Sequence, residues 1–257
     1  MLTPIGDDNS DRRITPYINY LLIAINFIVF VVLQRSGSNL SFTYAFSTIP
    51  AEIITGQDIV TAGERIVDEF TGQEYLVPGL QPTPVPVYLT LLTGVFMHGG
   101  WGHLLGNMLY LYIFGDNLEN TMGHGRYLAF YLICGLLASL SHVATVFMLP
   151  NMALIPSLGA SGAISGVLGG NLILFPTRKI RALFFVFIVT VPTLLALGLW
   201  ILMQVVAGLG MLGGESDGVA YGAHIGGFIA GLLLVKVFDK GPAEDYSRSA
   251  FRIQRRR

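Results

Sequence analysis

Six apolar stretches dominate this chain, and they decide its solvent before any single residue is considered. They run near residues 17–34, 101–118, 127–149, 161–175, 182–207 and 220–238. A helix that crosses a bilayer needs roughly 20 mostly apolar residues. The fourth stretch is the shortest and is rich in glycine. The polar remainder is too thin to coat a globule in water. Charged residues are 12% of the 257 and the mean hydropathy is +0.62, whereas soluble domains carry about 25% charged residues. The expected fold class is therefore all-α, a polytopic membrane protein with six transmembrane helices.

The cations give the orientation. With the N-terminus in the cytoplasm, the inner face holds Arg12, Arg13, Arg126, Arg178, Lys179, Arg181, Lys236, Lys240, Arg248, Arg252, Arg255, Arg256 and Arg257. The outer face keeps only Arg35 and Arg65. Such asymmetry places both termini in the cytoplasm and demands an even number of spans. The basic tail fits a juxtamembrane segment beside anionic lipid better than a nucleic-acid patch. Arg12 and Arg13 precede the first apolar run as in a signal peptide, but no small-residue cleavage site follows, so an uncleaved span is expected. The domain organisation read this way is a cytoplasmic segment at 1–14, a six-span domain at 15–240 with an outer loop at about 36–100, and a basic cytoplasmic tail at 241–257. Residues 36–87 carry several acids and a proline run, and read equally as solvated connector or functional loop. Cys134, the only cysteine, excludes an internal disulfide and reads as a small core residue.

Polar groups at membrane depth cost several kcal/mol unless they find partners or a cavity, so they locate the chemistry. In the second span His103 and Asn107 lie four apart and share a helix face, with His98 just before the helix. Helix glue is the alternative use of such residues; three together favour function. In the fourth span Ser161 sits at the helix start, where free N–H groups and the dipole favour a developing oxyanion. Gly162 and Gly166 follow as a small-residue seam. In the sixth span His224 shares a stripe with Gly227 and Gly231, a second such seam. Packing one seam on the other would set His224 beside Ser161, and a histidine base is what makes a serine nucleophilic. Glu119 and Arg126 lie near the inner end of the second span, where they could pair, and His124 and His142 are expected to be structural.

Other chemistries fail on their motifs. His-Glu-x-x-His is absent. Asp116 and Asp217, the candidates for an aspartyl dyad, fall on opposite sides. Ala163 breaks the Gly-x-Ser-x-Gly elbow. No repeated halves suggest a transporter.

Three patterns occur in order: His98, His103 and Asn107 on the second span, Gly159 to Gly162 around the serine, and Ala223 to Gly231 on the sixth. Together they resemble the rhomboid family of intramembrane serine proteases, over the six-span core. Phe114 to Glu119 and Met122 to Tyr127 look like bacterial members. The resemblance implies a rhomboid-like fold, Ser161 as nucleophile and His224 as general base. Asn107, His103 and the Ser161 N–H would donate to the oxyanion, and His98 would support them. It implies an endopeptidase acting on other transmembrane proteins in the bilayer, without metal or cofactor, in a bacterial inner membrane. Glu215 to Gly218 would cap the site and the fifth span would be the lateral gate. The pattern departs at Ser165, where many members carry an aromatic that stacks on the histidine. The Trp-Arg pair of some first loops is missing, and no seventh span is visible. A non-catalytic relative that binds client spans, and a small transporter, are the alternatives to a protease.

Overall fold

A computed structural model describes residues 2–67, 74–212 and 218–239. Six helices correspond to the six apolar stretches: α1 (Tyr17–Ile28), α5 (Trp101–Met122), α6 (His124–Thr145), α7 (Ser161–Leu174), α8 (Thr193–Leu212) and α9 (Tyr221–Phe238). α6, α8 and α9 are long and apolar enough to cross a membrane by length and composition alone; the described helices over 17–33 and 161–174 are shorter apolar ones. α1 continues through a π-helical turn, Val29–Leu33. Gly123, at φ +77 and ψ 165 where a side chain would be strained, divides α5 from α6. The result is a helical membrane fold around a main apolar core, built from Leu104, Leu111, Tyr127, Phe130, Tyr131, Val167, Leu168 and Phe228 among others.

The outer stretch is not a solvated connector. It holds three short helices, α2 (Leu40–Ala45), α3 (Pro50–Thr55) and α4 (Thr90–Thr93), and a hairpin of β2 (Glu64–Val67) with β3 (Glu74–Val77). Ile49, Ile53, Leu91 and Val95 are buried. Thr48 and Ser157 exchange backbone hydrogen bonds of 2.9 and 2.8 Å, and the Gly159 N–H donates to the Gly94 carbonyl at 2.9 Å. The outer stretch thus grips the loop that leads into α7.

The fifth stretch departs from expectation. Helix does not begin near Ala182 but at Thr193. The preceding residues form an antiparallel hairpin, β4 (Lys179–Phe184) and β5 (Phe187–Pro192), and β4 also pairs with the N-terminal β1 (Leu2–Asp7) in a sheet of order β1-β4-β5. A short apolar run bears no mark that separates strand from helix except its β-branched and aromatic content, which is high here. The paired strand lies some 175 residues away in β1, out of reach of local pattern. Pro4 is tolerated because β1 is an edge, and the register shifts between Pro4 and Gly6.

The basic end is tied by side chains. Arg12 pairs with Asp116, and Arg178 with Asp11 and with Asn117. Glu119 does not pair with Arg126. Fully buried, it accepts the N–H groups of Ile18 (3.0 Å) and Asn19 (2.7 Å) at the start of α1, and it also contacts His124. A carboxylate at a helix N-terminus meets both free donors and the positive end of the dipole, which outcompetes a distant guanidinium. Arg126 instead donates to the Phe238 carbonyl. Residues 215–217 of the expected cap, and the basic tail, lie outside the described residues.

Candidate active site

Backbone contact between α7 and α9 comes first. A Cβ on Gly227 would collide with the carbonyl oxygen of Gly162, and one on Gly231 with that of Gly166. Only hydrogen fits at these two positions, so the helices touch main chain to main chain. His224 lies one turn before Gly227, and Ser161 is the first residue of α7. The seam brings them together: the Ser161 hydroxyl lies 2.7 Å from His224 Nε2.

The entry to α7 is shaped for close approach. Gly159 has φ +117, and a Cβ there would strike the His103 ring. The loop therefore passes directly over the α5 residues. α7 has no side-chain cap, so its first N–H groups, that of Ser161 included, are left for another acceptor. Asn107 is 8% exposed, and its amide nitrogen is buried without a hydrogen-bond partner. His103 Nδ1 accepts the Gly99 N–H at 3.4 Å. That bond puts the proton of the neutral ring on Nε2, which faces the Gly159 loop.

Ser161, His224, His103 and Asn107 line one cavity of about 600 Å³. His98 does not. Its ring, 1% exposed, packs edge-on against His103 with centroids 5.1 Å apart. Its backbone is clamped by the amide of Gln34, which donates to the His98 carbonyl at 2.8 Å and accepts its N–H at 3.0 Å. His98 supports His103 from behind.

A rhomboid-domain profile matches residues 86–240. The chain belongs to the rhomboid family. Among its relatives, RHOMBOID-like protein 4 of Arabidopsis thaliana is 39% identical over 145 residues, covering 56% of this chain and 32% of that one. Rhomboid protein 1, mitochondrial, of Saccharomyces cerevisiae is 36% identical over 170 residues, 63% and 44% of the two chains. Rhomboid protease GluP of Bacillus subtilis is 28% identical over 218 residues, 85% of this chain and 34% of that one. The chain thus spans less than half the length of each.

Two residues of this rhomboid's cavity region were not anticipated from sequence. His142 of α6, expected to be structural, lines the cavity and is 4% exposed. Gln204 of α8 meets His224 Nδ1 through its Oε1 at 2.7 Å. An amide at membrane depth was the available signal. Around the same imidazole stand Trp200, with centroids 6.0 Å apart, and Tyr221, edge-on at 6.3 Å. Ser165 takes no part in this shell; its hydroxyl donates to the Ser161 carbonyl at 2.6 Å.

Proposed function

We propose that this rhomboid is an intramembrane serine endopeptidase that cleaves peptide bonds in or near the transmembrane helices of other membrane proteins, with Ser161 and His224 as its dyad. The observation that carries the reading is the 2.7 Å contact of Ser161 Oγ with His224 Nε2, made in a cavity that also holds an unpartnered amide donor, Asn107. A buried donor without a partner costs roughly 1–3 kcal/mol. That cost is recovered when a substrate oxyanion accepts its hydrogen bond.

The chemistry follows from the geometry. The Ser161 hydroxyl passes its proton to His224 Nε2 as Oγ bonds to the substrate carbonyl carbon. The carbonyl π-electrons move to oxygen, which the Asn107 amide, His103 Nε2–H and the Ser161 N–H stabilise. Collapse expels the amine, protonated by the imidazolium, and leaves an acyl-serine. Water, deprotonated by His224, releases the acid and restores the serine. No step calls for a metal or cofactor. Both termini face the positively charged side, the cytoplasm of a bacterial cell in this reading.

Fluorophosphonate labelling of the purified protein tests the proposal. Labelling of the parent that Ser161→Ala and His224→Ala both abolish is the expected result. A folded, monodisperse parent that stays unlabelled would instead favour a role in binding client spans.

A further inference from the structure

A histidine that serves as base through Nε2 must keep its proton on Nδ1. Ser165, buried and turned to its own helix, does not see to this. The group facing Nδ1 is the carbonyl end of the Gln204 amide, 2.7 Å away. A carbonyl oxygen can only accept. It therefore holds the tautomer with hydrogen on Nδ1 and leaves the Nε2 lone pair for the Ser161 hydroxyl. Resting on the reading of Ser161 and His224 as the reacting pair, we propose that Gln204 is a positioning residue: it acts on the reaction through His224, fixing the ring's tautomer and plane from the neighbouring helix.

Its neighbours support the assignment. Trp200 and Gln204 are four apart and so lie on one face of α8, and both reach the same imidazole, one by ring contact and one by hydrogen bond. Tyr221 closes the ring from its own helix. The amide differs from the carboxylate of a serine-protease triad in one respect. It orients the ring but adds no charge to stabilise the imidazolium. This makes the substitution Gln204→Glu informative in a way that removal is not.

The test is the rate of labelling by a fluorophosphonate as a function of pH, on the full chain in detergent micelles, separated into the maximal rate and the half-saturating probe concentration. Gln204→Leu keeps the bulk and suits an apolar helix but cannot accept a hydrogen bond. It should lower the maximal rate about tenfold or more, with half-saturation within about twofold. Gln204→Glu should restore the maximal rate and move the acid limb of the profile to higher pH, because a carboxylate beside the imidazole favours its charged form. A packing role would lower the thermal midpoint of both variants without restoration by Glu, and would overturn the proposal. So would an unaltered rate in Gln204→Leu, which leaves the dyad reading intact. A parent that does not label overturns both together.

Discussion

His224 stands between two helices that hold it by different means. On the α7 side the contact is main chain on main chain, at Gly162 against Gly227 and Gly166 against Gly231. On the α8 side it is made by side chains, Gln204 and Trp200. α8 is the more loosely seated: 11% of its apolar span is buried against 39% of that of α9, and Leu194, Leu195, Leu199, Leu202, Val206 and Leu209 are exposed to what would be lipid. The difference separates two requirements that His224 must meet if it is the base proposed above. The distance from serine to histidine is set by a contact that cannot be compressed. The histidine's orientation depends on a helix with little else to fix it.

The sharpest way to break the comparison is at the seam. Gly227→Val would drive two methyls into the Gly162 carbonyl, and helix backbones have no soft rotamer through which to yield. Such overpacking costs about 3 kcal/mol. Labelling should fall to the level of Ser161→Ala, and thermal unfolding should show a lowered midpoint. On the cavity side Asn107→Ala should reduce the labelling rate by about 10²–10³ without lowering the midpoint, since the amide nitrogen has no folded partner to lose and its unpaired burial is relieved. Gln204→Leu comes below both, acting through orientation alone.

Glu119→Ala should do the reverse of Asn107→Ala. It removes the acceptor of two α1 donors at the end of the molecule bearing the basic residues, and a buried donor left unpaired costs about 1–3 kcal/mol. Stability should drop by that order while the labelling rate at a temperature well below the midpoint stays at the parent's level. Loss of labelling in the folded variant would mean that the two ends are coupled, and that the dyad's geometry is not set locally by its seam.

The same contrast explains what was legible in the sequence. Glycines repeated every four residues mark where backbones meet, and the stripe itself carries the rotation of each helix. The pairing of the fourth and sixth spans, with Ser161 beside His224, could be read for that reason. Side-chain partners have no such mark. α8 is apolar on every face but that of Gln204, with a mean hydropathy of 2.1, so one amide was the single mark of the face that turns inward, and it named no partner. His142 was set aside as isolated because its cavity exists only when α5, α7 and α9 are in place. Most of the hairpin, from residue 182 on, was read as the start of a helix because its partner strand begins the chain. Arg126 stood as a partner Glu119 could take because sequence proximity was the only guide to a contact made with α1.

The smallest effect concerns the outer stretch, the third support of the α7 side. Glu52 of α3 is fully buried and accepts the Ile59 N–H at 3.1 Å. Burial raises its carboxyl above the ordinary value, with the Ile59 bond opposing and Asp58 adding to the rise. A raised folded value means that the folded state holds the proton more tightly than the unfolded chain does. The stability this contributes is complete below the ordinary carboxylate pKa, about 4.3, and is lost as pH rises through the raised value. Glutamine keeps the accepting oxygen and carries no charge at any pH. Glu52→Gln should therefore unfold at a higher temperature than the parent at pH 7, and the gap should close as the pH is lowered to 4. Labelling should be unaffected at both, because the grip on the Ser161 loop runs through the backbone of Thr48 and Gly94 rather than through this carboxyl. If the gap is absent at pH 7, Glu52 is solvated and the stretch is looser than its buried residues imply. If labelling changes with the gap, the outer stretch sets the position of Ser161 through α3 as well, and the seam is not its only determinant.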